Sequence, residues 1–408
     1  MKRRASALAA LAAFHLAGGR ANGDGAGREL AALVPALEAL DGDLATFATD
    51  GDEAQVTTLV AAPPDAVAAL LRDPAAYRQA VPALARTDVI ARRPRSDGDA
   101  DLLVEWELEI PLFNLAGRLW VIPGAGEVTL DLFQGNFAPG RLVFTWAPAG
   151  PGRAVAALSA RINNQAGGWL LRQLVARSRF AGAAVNAAAA FVALRGLAAV
   201  AEHPRDSEAR RPHAAPAPVA LAAIDGRALG ERLVAAPSPS PRALGLVRRA
   251  PSGRLSLAAV AARGHLPGAA TRARLETPEV WHAFPGWKRV ERLPPSEGAG
   301  GGVVDVEVRD NIPFVDFDAR WRLTPSPVPR ALVIDGDARG AVLGWDVVEA
   351  SPPRLPATAI VLSMNPRVEK LGYVPRKFVA AEPLLEQALA LALAYVDALS
   401  VVESQSLQ

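Results

Sequence analysis

Histidine, the residue that most often transfers protons in enzymes, has no evident catalytic partner in this sequence. His203 and His213 lie in a charged, proline-rich segment, and His265 and His282 have no histidine counterparts in the related first half of the chain. The sequence has no cysteine and no HExxH, GxSxG or P-loop motif. We therefore predict no catalytic residue, no metal site and no cofactor, which favours a non-catalytic role without deciding it.

Acidic and glycine-rich stretches are the next candidates for ion binding, but their spacing does not fit. The acidic residues between 41 and 53 lack the spacing of a calcium-binding loop, and we interpret this stretch as a solvated loop. The glycine-rich run at residues 298–302 stands between a predicted helix and a predicted strand. A flexible loop explains that run better than a phosphate site does.

Large apolar residues at alternate positions are the remaining candidates. Trp106 alternates with Glu105 and Glu107, and Phe144 and Trp146 recur on one face of a later strand. Such residues face the interior of a half-buried sheet. Two interpretations are open, because these side chains could line a ligand cavity or fill the core.

The stretch that carries Trp106 occurs twice in the chain. Residues 101–123 return near residues 303–325, and both copies alternate, break at an Ile-Pro pair and alternate again. The matched residues are Ile110, Pro111, Asn114 and Arg118 in the first copy and Ile312, Pro313, Asp316 and Arg320 in the second. The separation is far longer than the period of a repeat array, so we infer two copies of a whole domain.

A strand and two short helices precede each copy of this hairpin. Prolines at matched offsets begin and end the predicted helices. The matched residues are Pro63, Pro74, Tyr77 and Pro82 in the first copy and Pro267, Pro278, Trp281 and Pro285 in the second. The duplication therefore includes the helix pair.

Each copy continues with an antiparallel meander and one long helix. The predicted helices cover residues 168–200 and roughly 374–400, and they are apolar around most of their circumference. Such helices are buried against a sheet or inserted in a membrane. Because Asn186, Arg195, Glu386 and Asp397 interrupt them, we predict packing on a sheet.

Four matched polar residues have simple structural explanations. Arg118 and Arg320 could contact a ligand head group, but the period-two pattern predicts solvated strand residues opposite apolar neighbours. Asn163 and Asn365 end the last strand of each copy, where we expect them to cap or turn the chain.

Composition sets the wider organisation. The 408 residues are half hydrophobic and carry a formal net charge of +2, so we expect no nucleic-acid partner. Lys2, Arg3 and Arg4 followed by an apolar run predict a signal peptide cleaved near Ala21 or Gly23, and hence a soluble periplasmic or secreted protein. We predict a signal peptide at 1–23, domains at 28–201 and 254–400, a linker and connecting segment at 202–253, and a tail at 401–408.

Residues 56–90 resemble the START-like superfamily of polyketide cyclase/dehydrase and lipid transport proteins, and most closely its coenzyme Q-binding, oligoketide-cyclase-like group. The resemblance is carried by Ala62, Pro63, Val67, Asp73, Pro74, Tyr77 and Pro82. It extends over the first copy and, more weakly, over the second, where Thr277 replaces the aspartate. The implied fold is α+β, with two tandem helix-grip domains, each a curved antiparallel sheet wrapped around a long C-terminal helix.

The resemblance also implies a cavity between sheet and helix for a hydrophobic small molecule such as a lipid, quinone or polyketide. The candidate lining residues are Val104, Trp106, Leu108, Leu119, Leu130, Phe144, Trp146, Phe191, Val306, Trp321, Trp345 and Tyr395. The first hypothesis is non-catalytic binding or transport. The alternatives are a cyclase, aromatase or hydrolase that uses the same cavity, and a second copy that serves as a structural or partner-binding module. We expect no stable membrane insertion, although transient membrane contact is compatible with delivery of a lipid.

Overall fold

The computed structural model describes residues 23–49, 51–110, 113–206, 226–235, 241–283, 287–294, 303–312, 315–324, 330–349, 358–370 and 372–404. The predicted signal peptide lies outside the described residues, apart from its last position. The glycine-rich run at 298–302, Pro111, Pro313, Pro285 and His213 also lie outside them.

Ten α-helices occur in the described parts of the chain. They are α1 Gly23–Ala31, α2 Val34–Leu40, α3 Pro64–Arg72, α4 Pro74–Ala80, α5 Trp169–Val175, α6 Ala181–Glu202, α7 Arg227–Ala235, α8 Gly268–Leu275, α9 Tyr373–Ala381 and α10 Leu385–Ser404. Short 3₁₀ helices cover Asn164–Ala166, Pro278–Ala283 and Val368–Lys370.

The strands of the first half are β1 Asp43–Phe47, β2 Ala54–Val60, β3 Leu84–Pro94, β4 Ala100–Ile110, β5 Phe113–Pro123, β6 Glu127–Gly135, β7 Phe137–Pro148 and β8 Ala154–Asn163. Those of the second half are β9 Ala243–Arg249, β10 Leu255–Gly264, β11 Trp287–Arg292, β12 Val304–Ile312, β13 Val315–Thr324, β14 Arg330–Gly336, β15 Val342–Glu349 and β16 Thr358–Asn365.

All these strands form one antiparallel sheet of 16 strands. Its order is β11-β12-β13-β14-β15-β16-β10-β9-β1-β2-β8-β7-β6-β5-β4-β3, so the strand order of one half is the mirror of the other. Strands β1 and β9 join the halves: Ala45 lies opposite Gly245, with Leu44 opposite Leu246 and Thr46 opposite Leu244. The halves are therefore related by an approximate two-fold axis between Ala45 and Gly245.

Both joining strands occupy regions for which the sequence predicted no strand. The interpretation of residues 41–53 as a solvated loop is wrong, because Asp43–Phe47 is a strand buried along its whole length. The predicted linker and connecting segment of 202–253 contains helix α7 and strand β9. Neither strand shows polar alternation, since both lie in the centre of the sheet with elements on each face.

The predicted helix pair is present in both halves and is fixed by the same hydrogen bond. In the first half the Tyr77 hydroxyl donates to the Leu71 carbonyl at 2.5 Å. In the second half the Trp281 indole Nε1 donates to the Leu275 carbonyl at 3.1 Å. Both bonds span six residues, which confirms that Tyr77 and Trp281 are matched. The second helix of this pair is a 3₁₀ helix in the second half.

A matched β-bulge gives further evidence of the duplication. In the first half, the register between β5 and β6 shifts after Arg118, and Gly135 lies next to the shift with a φ of 91°. In the second half, the register between β13 and β14 shifts after Arg320, and Gly336 lies next to the shift with a φ of 85°. A Cβ on either glycine would overlap the backbone of the neighbouring strand. Only glycine readily adopts a positive φ and also avoids this overlap. The same bulge is therefore specified by a glycine in both copies.

The predicted long helices are each interrupted. In the first half α5 ends at Val175 and α6 begins at Ala181; in the second half Pro383 stands between α9 and α10. Helix α10 continues to Ser404, so it extends into the predicted tail. By length and composition, both α6 and α10 are apolar enough to cross a membrane. In each helix, however, 72% of the apolar 18-residue stretch that meets this criterion is buried within the protein.

Two apolar layers cover the two faces of the sheet. Helices α6 and α10 pack together on one face, here called the inner face, and form a core that is continuous across both halves. Helices α1, α2 and α7 pack on the other face near the central strands. The predicted packing of the long helices on a sheet is confirmed.

Candidate ligand-binding face

The twelve residues predicted to line a cavity all belong to the inner apolar layer. Ten of them are buried, while Leu108 and Trp146 are partly buried against the same cluster. The positions come from four neighbouring strands and α6 in the first half, and from β12, β13, β15 and α10 in the second. The period-two pattern therefore placed the ten strand residues on the face that the long helices cover, while Phe191 and Tyr395 lie on those helices.

Tyr395 makes aromatic contacts with the other half of the chain. Its ring stacks on Phe47 with centroids 3.8 Å apart and meets Phe180 edge-on at 6.5 Å. The Arg242 guanidinium lies over Phe180 at 4.4 Å. Burial raises the pKa of Tyr395 to about 12. This residue lies at the junction between the halves, next to the two-fold axis.

Trp106 is held between neighbouring strands at the far side of the first half. Its ring is parallel to that of Phe137 with centroids 6.2 Å apart. Gly117 lies directly opposite on β5, and Thr87 lies directly opposite on β3. A Cβ on Gly117 would be only 3.0 Å from Trp106 Cζ2, so the glycine leaves room for the indole.

A narrow crevice opens on the inner face between the helix pair and α6. Val60, Leu71 and Leu197 are among its lining residues, and all of the lining side chains are apolar. Its volume of about 10 Å³ corresponds to roughly one water molecule. A lipid- or quinone-sized ligand would need these side chains to move apart.

The matched arginines lie on the other face of the sheet, as predicted. Arg118 pairs with Glu105 at 3.2 Å, and Arg320 pairs with Asp305 at 3.0 Å. Both arginine side chains are about two-fifths exposed. The Arg118–Glu105 pair lies at the solvated surface of the sheet, where ion pairs add little stability. Asp305 is buried and also pairs with Arg322 at 2.9 Å, so the Arg320 pair belongs to a partly buried network.

The matched asparagines cap the end of the last strand, as predicted. Asn163 Oδ1 accepts a hydrogen bond from the Gln165 backbone N–H at 3.1 Å, and Asn365 Oδ1 accepts one from the Arg367 N–H at 3.2 Å. Their amide groups donate to other backbone carbonyls. The hydrogen bonds of both asparagine side chains therefore stabilise the turn that follows the last strand.

A buried ionic cluster at the junction was not predicted from the sequence. Asp43 on β1 accepts a hydrogen bond from Thr58 and lies 3.4 Å from Arg249 on β9. Arg195 on α6 donates to Thr58 at 3.1 Å and pairs with Glu202 at 3.4 Å. Burial, and then the charge of Arg195, lower the pKa of Arg249.

This cluster joins strands of both halves to α6. The signal for it in the sequence was Arg195, a charge within an otherwise apolar helix, but its partners could not be identified there. Asn186, another polar residue of that helix, accepts a hydrogen bond from Asn164 and donates one to the Asp52 carbonyl.

The three histidines that the structure describes take no part in either apolar layer. His203, His265 and His282 are all exposed. Within the described parts of the chain, no three His, Asp or Glu side chains come together as metal ligands would. The side chains of the inner face are therefore suited to packing against one another or to binding an apolar molecule.

The order of elements within each half decides the fold. A strand, two short helices and an antiparallel meander are followed by a long helix, which lies on that initial strand and on the last strand of the meander. Each half of the chain has a START-like, helix-grip fold. Strands β1 and β9 are additional to the order that the sequence predicted, and they connect the two START-like halves.

Comparison with known proteins gave structural matches only. No family model and no curated protein matches this sequence. The solved structures with similarity include a START superfamily protein from Mycobacterium smegmatis, at 22% identity over 28% of this chain and 77% of that one, with a TM-score of 0.25.

Two further structures are similar to one or both halves. The Zhui aromatase/cyclase from Streptomyces sp. R1128 is 15% identical over 38% of this chain and 95% of its own, with a TM-score of 0.31. The di-domain ARO/CYC StfQ from the steffimycin biosynthetic pathway is 11% identical over 87% of this chain and 99% of its own, with a TM-score of 0.27. With TM-scores this low, the fold assignment rests on the element order described above.

Proposed function

We propose that the protein binds a hydrophobic small molecule, such as a lipid, quinone or polyketide-like compound, between the sheet and the long helices. The observation that carries the proposal is the inner face itself. Its predicted positions are aliphatic or aromatic, come from strands far apart in sequence, and converge below α6 and α10. Binding sites for apolar molecules have this kind of lining.

The proposal is one of binding or transport and includes no reaction. Proton transfer or covalent catalysis needs a base or nucleophile within hydrogen-bond reach of a partner. The described histidines are exposed, and the sequence has no cysteine. Nucleic acid and stable membrane insertion are also left out, since the charge is nearly balanced and α6 and α10 are mostly buried.

The first test is mass spectrometry of organic extracts from the protein, purified gently from its native envelope or a related one. A stoichiometric apolar molecule in the extract would support the proposal and identify the ligand class. A folded protein with no extractable molecule would count against it.

The second test separates cavity lining from core filling. Trp106→Leu and Trp146→Leu remove aromatic surface from the inner face, whereas Trp120→Leu removes it from the opposite face of β5, where Arg93 lies 4.7 Å over the ring. We expect the two inner variants to weaken binding of the extracted ligand more than their loss of stability explains. Equal losses of binding and stability in all three variants would contradict the proposal.

We also propose that the protein is exported, on the basis of its basic and apolar N-terminal sequence. N-terminal sequencing of the protein from a periplasmic or culture fraction tests this. A chain that begins near Ala21 or Gly23 would support export, and an intact Met1 in the cytoplasmic fraction alone would contradict it.

A further inference from the structure

Two polar side chains of the inner face lack hydrogen-bond partners. Thr87 on β3 and Trp106 on β4 lie directly opposite each other, with exposed fractions of only 9% and 6%. Neither the Thr87 Oγ1 nor the Trp106 Nε1 has a hydrogen-bond partner among the residues that the structure describes. Residues directly opposite in a sheet share one face, so the two side chains are neighbours on the inner face.

Buried polar groups in native proteins are almost always paired. A single unpaired group has little meaning, but two neighbouring ones at the same position of a sheet require a common explanation. Phe137 and Gly117, which lie against the indole of Trp106, have no polar side-chain atom that could supply the bond. A molecule that is not part of the chain would provide the missing partner.

The chemistry of the two groups limits what that partner can be. An indole N–H only donates, and a threonine hydroxyl both donates and accepts. An oxygen atom of a ligand can therefore accept a hydrogen bond from either group. The charged residues of these strands, such as Arg86 and Glu105, pair with each other on the opposite face at 2.9 Å, so no charge is supplied on the inner face by them. A neutral oxygen therefore fits the position better than an ionised group.

The second half provides an internal comparison. The hairpins are matched, because Ile110 pairs with Phe113 in one copy and Ile312 with Val315 in the other. Four residues before Ile312 is Val308, which lies opposite Val290. Two valines thus occupy the positions of Trp106 and Thr87.

The second half has an unpaired indole elsewhere. Trp345 Nε1 has no partner among the described residues, but this ring lies edge-on to Trp281 at 5.6 Å. Its partner on β16 is Leu362, which has no polar side-chain atom. In the part of the chain that the structure describes, the matched position of the second half therefore lacks this pair.

We propose that Thr87 and Trp106 form the polar end of a binding site in the first half, for an apolar molecule that carries a neutral oxygen such as a ketone, quinone or phenol oxygen. This inference rests on the proposed function and adds the chemical class of the ligand. It also assigns the oxygen-selective site to the first copy.

The test uses two probes of nearly the same shape, 1-tetralone and tetralin, which differ by one carbonyl oxygen. Calorimetric titration of the full chain should show tighter binding of 1-tetralone by about tenfold, the effect of one or two buried hydrogen bonds. Thr87→Val removes the hydroxyl with little change of shape and should lower this preference roughly threefold or more. Trp106→Phe, which removes the N–H, should have the same effect.

Thr145→Val is the matched control. Thr145 is also buried in the sheet, at 7% exposure, but its neighbours Phe144 and Trp146 occupy the inner face, so it lies on the other side. This variant should keep the wild-type preference for 1-tetralone.

The outcomes separate the two proposals. Equal binding of both probes, or a preference that neither Thr87→Val nor Trp106→Phe changes, would overturn the assignment of the polar end while the apolar site stands. If neither probe binds and the organic extract is empty, the proposed function fails, and this inference fails with it.

Discussion

Gly117 shows how strictly the inner face fixes a single residue. A Cβ at this position would overlap the Gln134 carbonyl oxygen and contact Trp106. We expect Gly117→Ala to lower the free energy of unfolding by about 1–3 kcal/mol, because the strand or the indole must shift. Urea denaturation measures this.

Gly264→Ala is the control for that substitution. It also adds a methyl group to a strand glycine, but the nearest atom would be 3.5 Å away. Its free energy of unfolding should stay within about 1 kcal/mol of the original value or rise slightly. Equal destabilisation by both substitutions would show that the close contact at Gly117 is unimportant.

Tyr395 gives a prediction in the pH dependence of stability. Its pKa is raised from 10.0 to about 12 by burial, so the unfolded chain loses this proton first. The stability that its neutral form contributes is complete below about pH 10 and is lost as the pH rises toward about 12. Tyr395→Phe should therefore flatten the decline of the free energy of unfolding over this range.

Urea denaturation at several pH values between about 9 and 11.5 measures the slope. Tyr373→Phe is the control, because this tyrosine is 67% exposed. Parallel declines in wild-type protein and Tyr395→Phe would contradict the prediction.

At the scale of elements, the ionic cluster connects α6 to strands of both halves. Asp43 is the carboxylate next to Thr58, Arg195 and Arg249. Asp43→Asn leaves two guanidinium groups without this counter-charge, and we expect a loss of about 2–4 kcal/mol in the free energy of unfolding. Thermal or urea denaturation tests this.

Asp88→Asn is the matched control for Asp43. Its carboxylate is 59% exposed and lies 3.8 Å from Arg86, so its removal should change stability by less than about 1 kcal/mol. Similar small effects at Asp43 and Asp88 would mean that the buried cluster does not stabilise the junction.

The elements that the sequence predicted are those with a local signal. Prolines marked the starts of α3 and α4, and alternation marked β4 to β7. Strand β1 has no such signal, because it is short, buried on both faces, and begins with Asp43, whose partners are distant in sequence.

The residues of the candidate site also divide into those with a local sequence signal and those without one. Trp106 was predicted because its strand alternates regularly. Thr87 was not, because register shifts near Ala85 and Ile90 interrupt the alternation of β3. The unpaired state of both groups depends on which side chains surround them, and that information is absent from the local sequence.

At the scale of the whole molecule, the two halves share one core. Phe47 and Phe180 of the first half pack against Tyr395 of the second, and β1 pairs with β9 along its length. A protease site inserted within residues 207–225 allows the chain to be cut between the halves. We expect the fragments to co-elute after cleavage and to unfold in one transition, because separation would expose a central strand and apolar surface.

Size-exclusion chromatography with light scattering and urea denaturation of the cleaved protein provide the measurement. The uncleaved chain with the same insertion is the control. Two fragments that elute separately as stable monomers would contradict a shared core.

The strand pair at Ala45 and Gly245 has a consequence for how such a protein can diverge. In a homodimer, both partners at a symmetry axis must carry the same residue, so every substitution there is made twice. In this protein the residues at the axis differ, because Gly245 makes room for Leu391 and its partner across the axis is Ala45. Phe47 stacks on Tyr395, whereas the matched position of the other half is Val247. A single gene that encodes both halves is free of this constraint, and each half can be optimised without altering its twin.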